Sequence, residues 1–212
     1  MTVELLFPVA QMVGGNLAKM FQSKDDINQP KFDKNGDPCM RCNFGVAIPK
    51  IVGQDWKQTE WGIKIFNEAQ AAFPNGEFNA PTFAWKITDG DSMVPNKSGN
   101  KPCDQTGYPG NWIVWFSQSW LPKKVNADAS SELTEPDSIV PGYFVQVVGT
   151  CLGNNNKGTP KSPGVYQNPK AVVLVAYGER IAGNEDVDLT GYTFGNQPLP
   201  PGASATPIGM TN

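Results

Sequence analysis

The stretch Asn111-Trp112-Ile113-Val114-Trp115-Phe116-Ser117 is the strongest strand signal in the chain. It consists mainly of aromatic and β-branched residues, which fit the pleated surface of a sheet. Alternation places Trp112 and Phe116 on one face and Trp115 on the other. Because both faces are largely apolar, we expect both to be covered. The face of Trp115 is the more mixed one, so we expect Trp115 to be the more exposed ring.

Other strand signals lie on both sides of this stretch. Residues 40–48 alternate between apolar and polar side chains until a proline ends the run. Residues 143–150 and 171–178 predict a hairpin pair across a long Gly- and Asn-rich loop at 153–164. Phe83-Ala84-Trp85-Lys86-Ile87 alternates over a shorter span. These runs predict a sheet built from strands that are far apart in the sequence.

The remaining elements are an N-terminal hairpin and one helix. Residues 3–13 and 17–21 are apolar runs separated by Gly14-Gly15-Asn16, which predicts a hairpin turn. Residues 55–73 carry apolar side chains at helical spacing and end before Pro-Asn-Gly. About six strands with one helix between them predict a mainly β protein. The expected fold is an OB-fold-type antiparallel barrel with one inserted helix and long loops.

The length and composition suit one domain with a short extension. Of the 212 residues, 39% are hydrophobic, enough for a core, and the 22 glycines and 19 prolines favour short strands and turns. We predict a domain over residues 1–182 and a Gly/Pro-rich, mildly acidic segment over residues 183–212. No stretch approaches the roughly 18 apolar residues of a membrane span, and the N-terminus lacks the basic region of a signal peptide. We therefore expect a cytoplasmic protein without a membrane partner.

The chain contains no histidine. This absence excludes Ser-His-Asp and Cys-His catalysis and all zinc sites that use histidine. Asp89 and Asp91 together with Asp104 would be a minimal divalent-metal site, but two acids around a glycine are more typical of a turn. Cys39 and Cys42 form a lone CxxC without a second knuckle, which favours buried reduced thiols over zinc. We therefore expect no enzymatic activity and no cofactor.

Aromatic residues lie among lysines through most of the chain, a combination that suits single-stranded DNA. Bases stack on aromatic rings, each contributing roughly 1–3 kcal/mol, and phosphates attract cations. Of 17 lysines and arginines only Arg41 and Arg180 are arginines, so base-specific reading of duplex DNA is not expected. The net charge of −3 is atypical of a DNA-binding protein, but the acids cluster at 128–137 and 185–188. The binding residues predicted on this ground are Trp115, Lys97, Lys101, Lys123, Lys124, Lys157 and Lys161.

Five short motifs occur in a particular order along the chain. Residues 44–50 are a strand ending in Ile-Pro-Lys, and residues 85–91 end in Asp-Gly-Asp. Residues 107–112 begin Gly-Tyr-Pro-Gly, and Pro141-Gly142-Tyr143-Phe144-Val145 is followed later by Gly164-Val165-Tyr166. In this order they resemble bacteriophage single-stranded-DNA-binding proteins and are distantly similar to those of the short-tailed phages. The resemblance covers about residues 30–182.

This resemblance implies an OB-fold, sequence-independent binding of single-stranded DNA, and roles in phage DNA replication and recombination in the infected host cell. Such proteins commonly end in a strongly acidic tail that recruits partners and competes with DNA. Here the last residues carry no acid, so either residues 185–188 serve instead or replication and recombination proteins are recruited differently. By position, the resemblance implies DNA contacts from Lys50, Trp85, Lys86, Tyr108, Trp112, Tyr143 and Tyr166.

Two other non-enzymatic functions stay open at this point. Exposed tryptophans would also suit a carbohydrate-binding or other β-sandwich module. A phage structural protein whose aromatic residues are all in the core would explain the same composition, because a β-barrel of this size needs core aromatics.

Overall fold

The structure, a computed structural model, describes residues 3–24, 29–96, 98–155 and 162–181. Lys97, Lys157, Lys161 and the predicted segment 183–212 lie outside the described residues. Within these ranges, no helix is both long enough and apolar enough to cross a membrane. The elements in chain order are β1 (Val3–Leu6), β2 (Ala10–Gln22), β3 (Met40–Pro49), α1 (Glu60–Ala72), β4 (Ile87–Asp89), β5 (Asn111–Gln118), β6 (Lys123–Val125), β7 (Phe144–Gly153) and β8 (Val165–Ala176).

Five of these strands close into a barrel. β2 pairs with β3, β3 with β5, and β7 with β8, all antiparallel, while β5 meets β8 in parallel. The pairing of β2 with β7 closes the ring. A five-stranded barrel with one helix is the architecture of an OB-fold. The predicted mainly β fold with an inserted helix is therefore confirmed, as is the hairpin pair formed by β7 and β8.

Aromatic rings fill the centre of the barrel beneath α1. Phe116 stacks on Phe44 with ring centroids 5.0 Å apart and meets Phe7 edge-on at 4.9 Å. Phe7 also contacts Trp61 of α1 at 5.8 Å, and Ile65, one turn further along α1, is fully buried. The apolar stripe of the helix therefore covers the barrel interior, as its spacing predicts. The helix begins at Glu60 rather than near residue 55, because residues 56–58 form a separate 3₁₀ turn.

The predicted N-terminal hairpin is wrong. β2 runs without a break through Gly14-Gly15-Asn16, and the strand interruption lies instead at residues 7–9, between β1 and β2. A β-bulge lies between Met12 and Gly14, and Gly15 has φ +82°. A Cβ at Gly15 would lie 2.1 Å from the carbonyl oxygen of Asn43 on β3, so only glycine fits. The glycines therefore bend a continuous strand around the barrel instead of reversing the chain.

The four cysteines are free thiols with different surroundings. Cys42 is buried and its Sγ donates a hydrogen bond to the carbonyl oxygen of Asn16 at 3.4 Å. Burial raises the pKa of Cys42 to about 11 and, together with nearby Glu68, that of Cys151 to about 12. Cys39 and Cys103 are only partly buried. Among the described residues, no group of three or more His, Cys, Asp or Glu side chains is arranged to hold a metal ion.

We expect Cys42 and Cys151 to react with a thiol reagent at pH 8 at least ~100-fold more slowly in the native protein than after unfolding, since the thiolate is the nucleophile. Kinetic titration with a chromogenic disulfide measures this difference. The Cys42→Ser/Cys151→Ser variant is the control and should keep the native fast phase of the wild type. Equal rates for all four thiols in the native protein would contradict the expected burial.

Candidate nucleic-acid interface

Trp115 lies on the outer face of the barrel, against the backbone of the neighbouring strands. Its partner across β3 is Gly45. A Cβ built at Gly45 would lie 3.2, 3.2 and 3.3 Å from three atoms of the indole, and one at Gly14 would lie 3.5 Å from it. Three nearly equal distances mean that the ring lies flat over Gly45. One ring face therefore rests on a glycine platform, and the other is directed away from the strands.

A small second apolar cluster surrounds this ring. Val13, which the bulge in β2 turns to the outer face, is buried together with Ala47 and Ile113. Tyr108 and Ile181 pack against these side chains, as Trp115 does. Burial raises the pKa of the Tyr108 phenol. The expectation that both faces of β5 are covered is thus confirmed, and two predicted site residues, Tyr108 and Trp115, lie in one cluster.

Lys86 and Tyr166 lie on the other side of Trp115. The Trp115 amide donates a hydrogen bond to the Lys86 carbonyl oxygen at 2.9 Å, which places Lys86 opposite Trp115. The Lys86 ammonium lies 4.9 Å from the centre of the Tyr166 ring. Lys86 has φ +57°, a left-handed conformation that is strained for a side chain with a Cβ. The structure therefore brings together three of the predicted site residues at one strained backbone position.

Sequence reasoning missed two residues that extend this surface. Beyond the barrel, β2 and β3 continue as a two-stranded arm in which Phe21 pairs with Arg41. Arg41 lies on the same face of β3 as Gly45, because the two are four residues apart, about 13 Å along a strand. Phe21 is 50% exposed. Their alignment with Trp115 depends on strand register, so neither residue stood out in the sequence.

We refer to the surface formed by these side chains as the outer-face track. It presents aromatic rings and cations on the outer side of the barrel and of the arm. Its residues are Phe21, Arg41, Lys86, Tyr108, Trp115 and Tyr166.

Lys50 lies elsewhere, at the end of β3, in a cluster of opposite charges. Its ammonium donates hydrogen bonds to Asp89 and to Asp91, the latter at 2.6 Å, and lies 4.5 Å from the centre of the Trp112 ring. Partial burial alone would lower the pKa of Lys50, but the two carboxylates outweigh it and raise that pKa. Asp89 and Asp91, considered above as metal ligands, thus bind the Lys50 ammonium. Asp104, the third acid of that set, instead accepts a weak hydrogen bond from the Cys103 thiol at 3.6 Å.

Two further predicted aromatic residues pack against the protein itself. Trp85 contacts Phe83 at 4.6 Å and stacks on Phe66 at 5.9 Å between ring centroids, against the main core. Tyr143 also packs against that core and meets Tyr177 edge-on at 5.1 Å. Neither ring lies beside Trp115 in the outer cluster. DNA contact by Trp85 and Tyr143 therefore stays a prediction, and the packing of both rings on other protein side chains does not favour it.

The three remaining predicted lysines within the described ranges differ in their surroundings. Lys124 is only 9% exposed, and its ammonium donates to the carbonyl oxygens of Glu135 and Pro136 at 2.6 and 3.3 Å. Burial lowers the pKa of Lys124. Its side chain thus anchors the acidic loop after β6 and does not offer a cation to the solvent. Lys123 is exposed and lies 3.7 Å from Glu132, and Lys101 is exposed at the start of a 3₁₀ turn.

Comparison with known proteins gives matches in structure alone. No protein-family model matches the chain, and no curated protein matches it. The single-stranded DNA-binding protein from bacteriophage Enc34, in complex with single-stranded DNA, aligns with a TM-score of 0.58. The two chains are 19% identical, and the alignment covers 84% of this chain and 89% of that one. The gp2.5 single-stranded DNA-binding protein encoded by bacteriophage T7 aligns with a TM-score of 0.50 at 12% identity, over 94% of this chain and 100% of that one.

This chain resembles bacteriophage single-stranded-DNA-binding proteins. The resemblance inferred from the order of its motifs is therefore confirmed at the level of the fold. At such low identity the alignment assigns no functional roles to individual residues of this chain.

Proposed function

We propose that this protein binds single-stranded DNA without sequence specificity, and that the outer-face track is the surface that does so. The observation that supports this most is the Trp115 ring, which lies flat on Gly45 with Lys86 opposite it. The fold likeness to phage proteins described as single-stranded-DNA-binding supports the same function.

The track has the two components that single strands need. A flat ring held by backbone beneath it is a stacking platform that loses little freedom when a base covers it. Cations near such platforms attract the phosphates that link successive bases. The distance of about 13 Å along β3 between Gly45 and Arg41 separates the positions of Trp115 and Phe21, so the two rings would receive different bases. Trp115 and Phe21 would then stack on bases while Lys86 and Arg41 attract phosphates.

The same geometry disfavours duplex DNA. In a duplex the base faces are covered by their neighbours and cannot reach a ring lying flat on a sheet. Reading base edges in the major groove requires a projecting helix or ribbon with bidentate side chains. The single α-helix among the described residues instead packs its apolar stripe on the barrel core. The two-stranded arm of β2 and β3 is a ribbon, but Arg41 is its one arginine, too few for bidentate reading of several successive bases. The proposed activity is therefore binding through stacking and charge, without catalysis.

In the cell, we place this protein in DNA replication or recombination of a phage, within the cytoplasm of the infected bacterium. Single strands exposed during these processes are the substrate that such a surface would cover. The acidic residues at 185–188 predict that residues 183–212 recruit replication or recombination proteins, and this stays a prediction. Of the two non-enzymatic alternatives, the β-sandwich is wrong, because the sheet closes as a five-stranded barrel.

The proposal is tested by titrating the protein with oligo-dT and with duplex DNA of equal length at several salt concentrations, following tryptophan fluorescence. We expect tighter binding of oligo-dT and a log–log salt slope of about −0.7 per phosphate neutralised. Lys86→Met and Arg41→Met should each reduce the size of that slope by about 0.7. Equal affinity for single strands and duplex at every salt concentration would rule the proposal out. An oligosaccharide series serves as the control for a sugar-binding module and should leave the fluorescence unchanged.

A further inference from the structure

Three of the motifs that resemble phage proteins meet at one end of the barrel. They are the end of β3 at Lys50, the turn Asp89-Gly90-Asp91 after β4, and the turn at residues 107–111 before β5. The resemblance to phage proteins implies DNA contacts from Lys50, Tyr108 and Trp112 in these motifs. Their geometry indicates a different division of roles.

Backbone hydrogen bonds join the three segments. The Lys50 amide donates to the Gly110 carbonyl oxygen at 3.0 Å, and the Gly90 amide donates to that of Asn111 at 2.9 Å. The Asp91 carboxylate accepts from the Gly110 amide at 2.7 Å. The Asn111 side chain closes the turn by donating to the carbonyl oxygens of Gly107 and Pro109, at 3.1 and 2.9 Å.

The ion pairs complete this arrangement. Asp91 binds the Lys50 ammonium with one oxygen and the Gly110 amide with the other. Asp89 also accepts from the Lys50 ammonium, and its side chain accepts from the Asp91 amide at 2.8 Å. Since each carboxylate contacts both the ammonium and backbone, the three side chains fix the turn before β5 relative to β3 and β4.

That turn carries Tyr108 to the outer-face track. Gly107, with φ +80°, brings the backbone so close to β2 that a Cβ there would lie 2.7 Å from Val13. Tyr108 then packs on the cluster of Val13, Ala47 and Ile113, where Trp115 also packs. A shift of the turn would therefore move Tyr108 relative to Trp115.

We propose that Lys50, Asp89 and Asp91 are positioning residues that hold Tyr108 beside Trp115, and that Lys50 does not contact phosphate. This inference rests on the proposed function of the outer-face track. Two carboxylates around one ammonium leave this cluster with negative charge, which repels phosphate. Two of the three N–H donors of the Lys50 ammonium are used by the carboxylates, and a phosphate that reached the third would lie beside both negative charges.

Lys50→Met is tested by salt-titrated binding of oligo-dT, with Lys86→Met as the matched control. We expect Lys50→Met to weaken binding by about 5-fold, the lower end for one stacked base, while the log–log salt slope stays that of the wild type. In Lys86→Met the size of the log–log salt slope should fall by about 0.7, the value for one phosphate contact. Partial unfolding would lower the amount of active protein without changing the slope. A slope reduced by about 0.7 in Lys50→Met would overturn the inference, because it would show a phosphate contact. Lys50→Arg, which keeps the cation, should restore wild-type affinity.

A double-mutant cycle tests whether the cluster acts through Tyr108. If Asp91 positions Tyr108, Asp91→Asn/Tyr108→Ala should bind no more weakly than the weaker single variant. The control pair Asp91→Asn/Phe21→Ala should show additive losses, because Phe21 lies on the distant arm. Additive losses in the first pair would overturn the inference. If the wild-type protein instead binds single strands no more tightly than duplex DNA, the proposed function itself is ruled out.

Discussion

Trp115→Ala should weaken the binding of single-stranded DNA by about 5- to 150-fold, because one base–aromatic stack contributes roughly 1–3 kcal/mol. The ring lies flat over Gly45, with three of its atoms 3.2, 3.2 and 3.3 Å from where a Cβ would be. It is therefore preorganised for a base on its free face. Fluorescence anisotropy of a labelled oligo-dT at fixed salt measures the loss, and circular dichroism shows whether the variant is folded.

Two variants act as controls for this result. Trp115→Phe keeps a ring over the glycine platform and should retain most of the affinity. Lys64→Met removes an exposed ammonium on α1, the helix that covers the barrel interior rather than its outer face, and should bind like the wild type. If Trp115→Ala binds within 2-fold of the wild type, Trp115 is not a stacking platform.

Gly90→Ala should lower the free energy of unfolding by at least about 3 kcal/mol. A Cβ at Gly90 would lie 1.9 Å from the Tyr108 carbonyl oxygen and 2.7 Å from that of Asn111. Both atoms belong to backbone, so the methyl group can be accommodated only by moving the turn and losing its hydrogen bonds. Thermal melts should show a Tm lower by about 6–12 °C.

Gly99→Ala is the matched control for this prediction. Gly99 has φ +84°, but no heavy atom lies within 4 Å of a Cβ built there. Its substitution therefore costs only the conformational strain, about 1 kcal/mol. If the two variants melt at the same temperature, the close approach of Gly90 to the Tyr108 carbonyl does not contribute to stability.

The barrel could be predicted because its strands follow simple burial patterns. β5 has two apolar faces, and both are covered, one by the core around Phe116 and the other by the cluster around Ile113. The Gly14-Gly15-Asn16 segment misled prediction because a bulge and a turn use the same residues. Which of the two forms depends on whether β3 lies alongside to pair with the strand, and that partner is not local in sequence.

The candidate surface was harder to predict than the fold. Aromatic and lysine residues identified the chemistry, and Trp115, Lys86 and Tyr166 do lie together. Composition could not distinguish Lys50 from lysines that are available to phosphate, because the carboxylates that bind its ammonium are 39 and 41 residues away in the sequence. Composition also could not show that Lys124 is buried, with its ammonium bonded to two carbonyl oxygens of a later loop.

By itself, the sequence determined the helix and most of the strands, since these depend on periodicity and on the solvent preferences of neighbouring residues. The exceptions are the turn predicted at 14–16, which lies within β2, and the strand predicted at 83–87, which is displaced to Ile87–Asp89. It also excluded histidine-based chemistry. Only the tertiary structure decided which side chains share a surface. The alignment of Phe21 and Arg41 with Trp115, and the ion pairs of Lys50, depend on strand register and on contacts between distant segments. Those contacts arise only when the barrel closes, because closure sets the register of every strand against its neighbours.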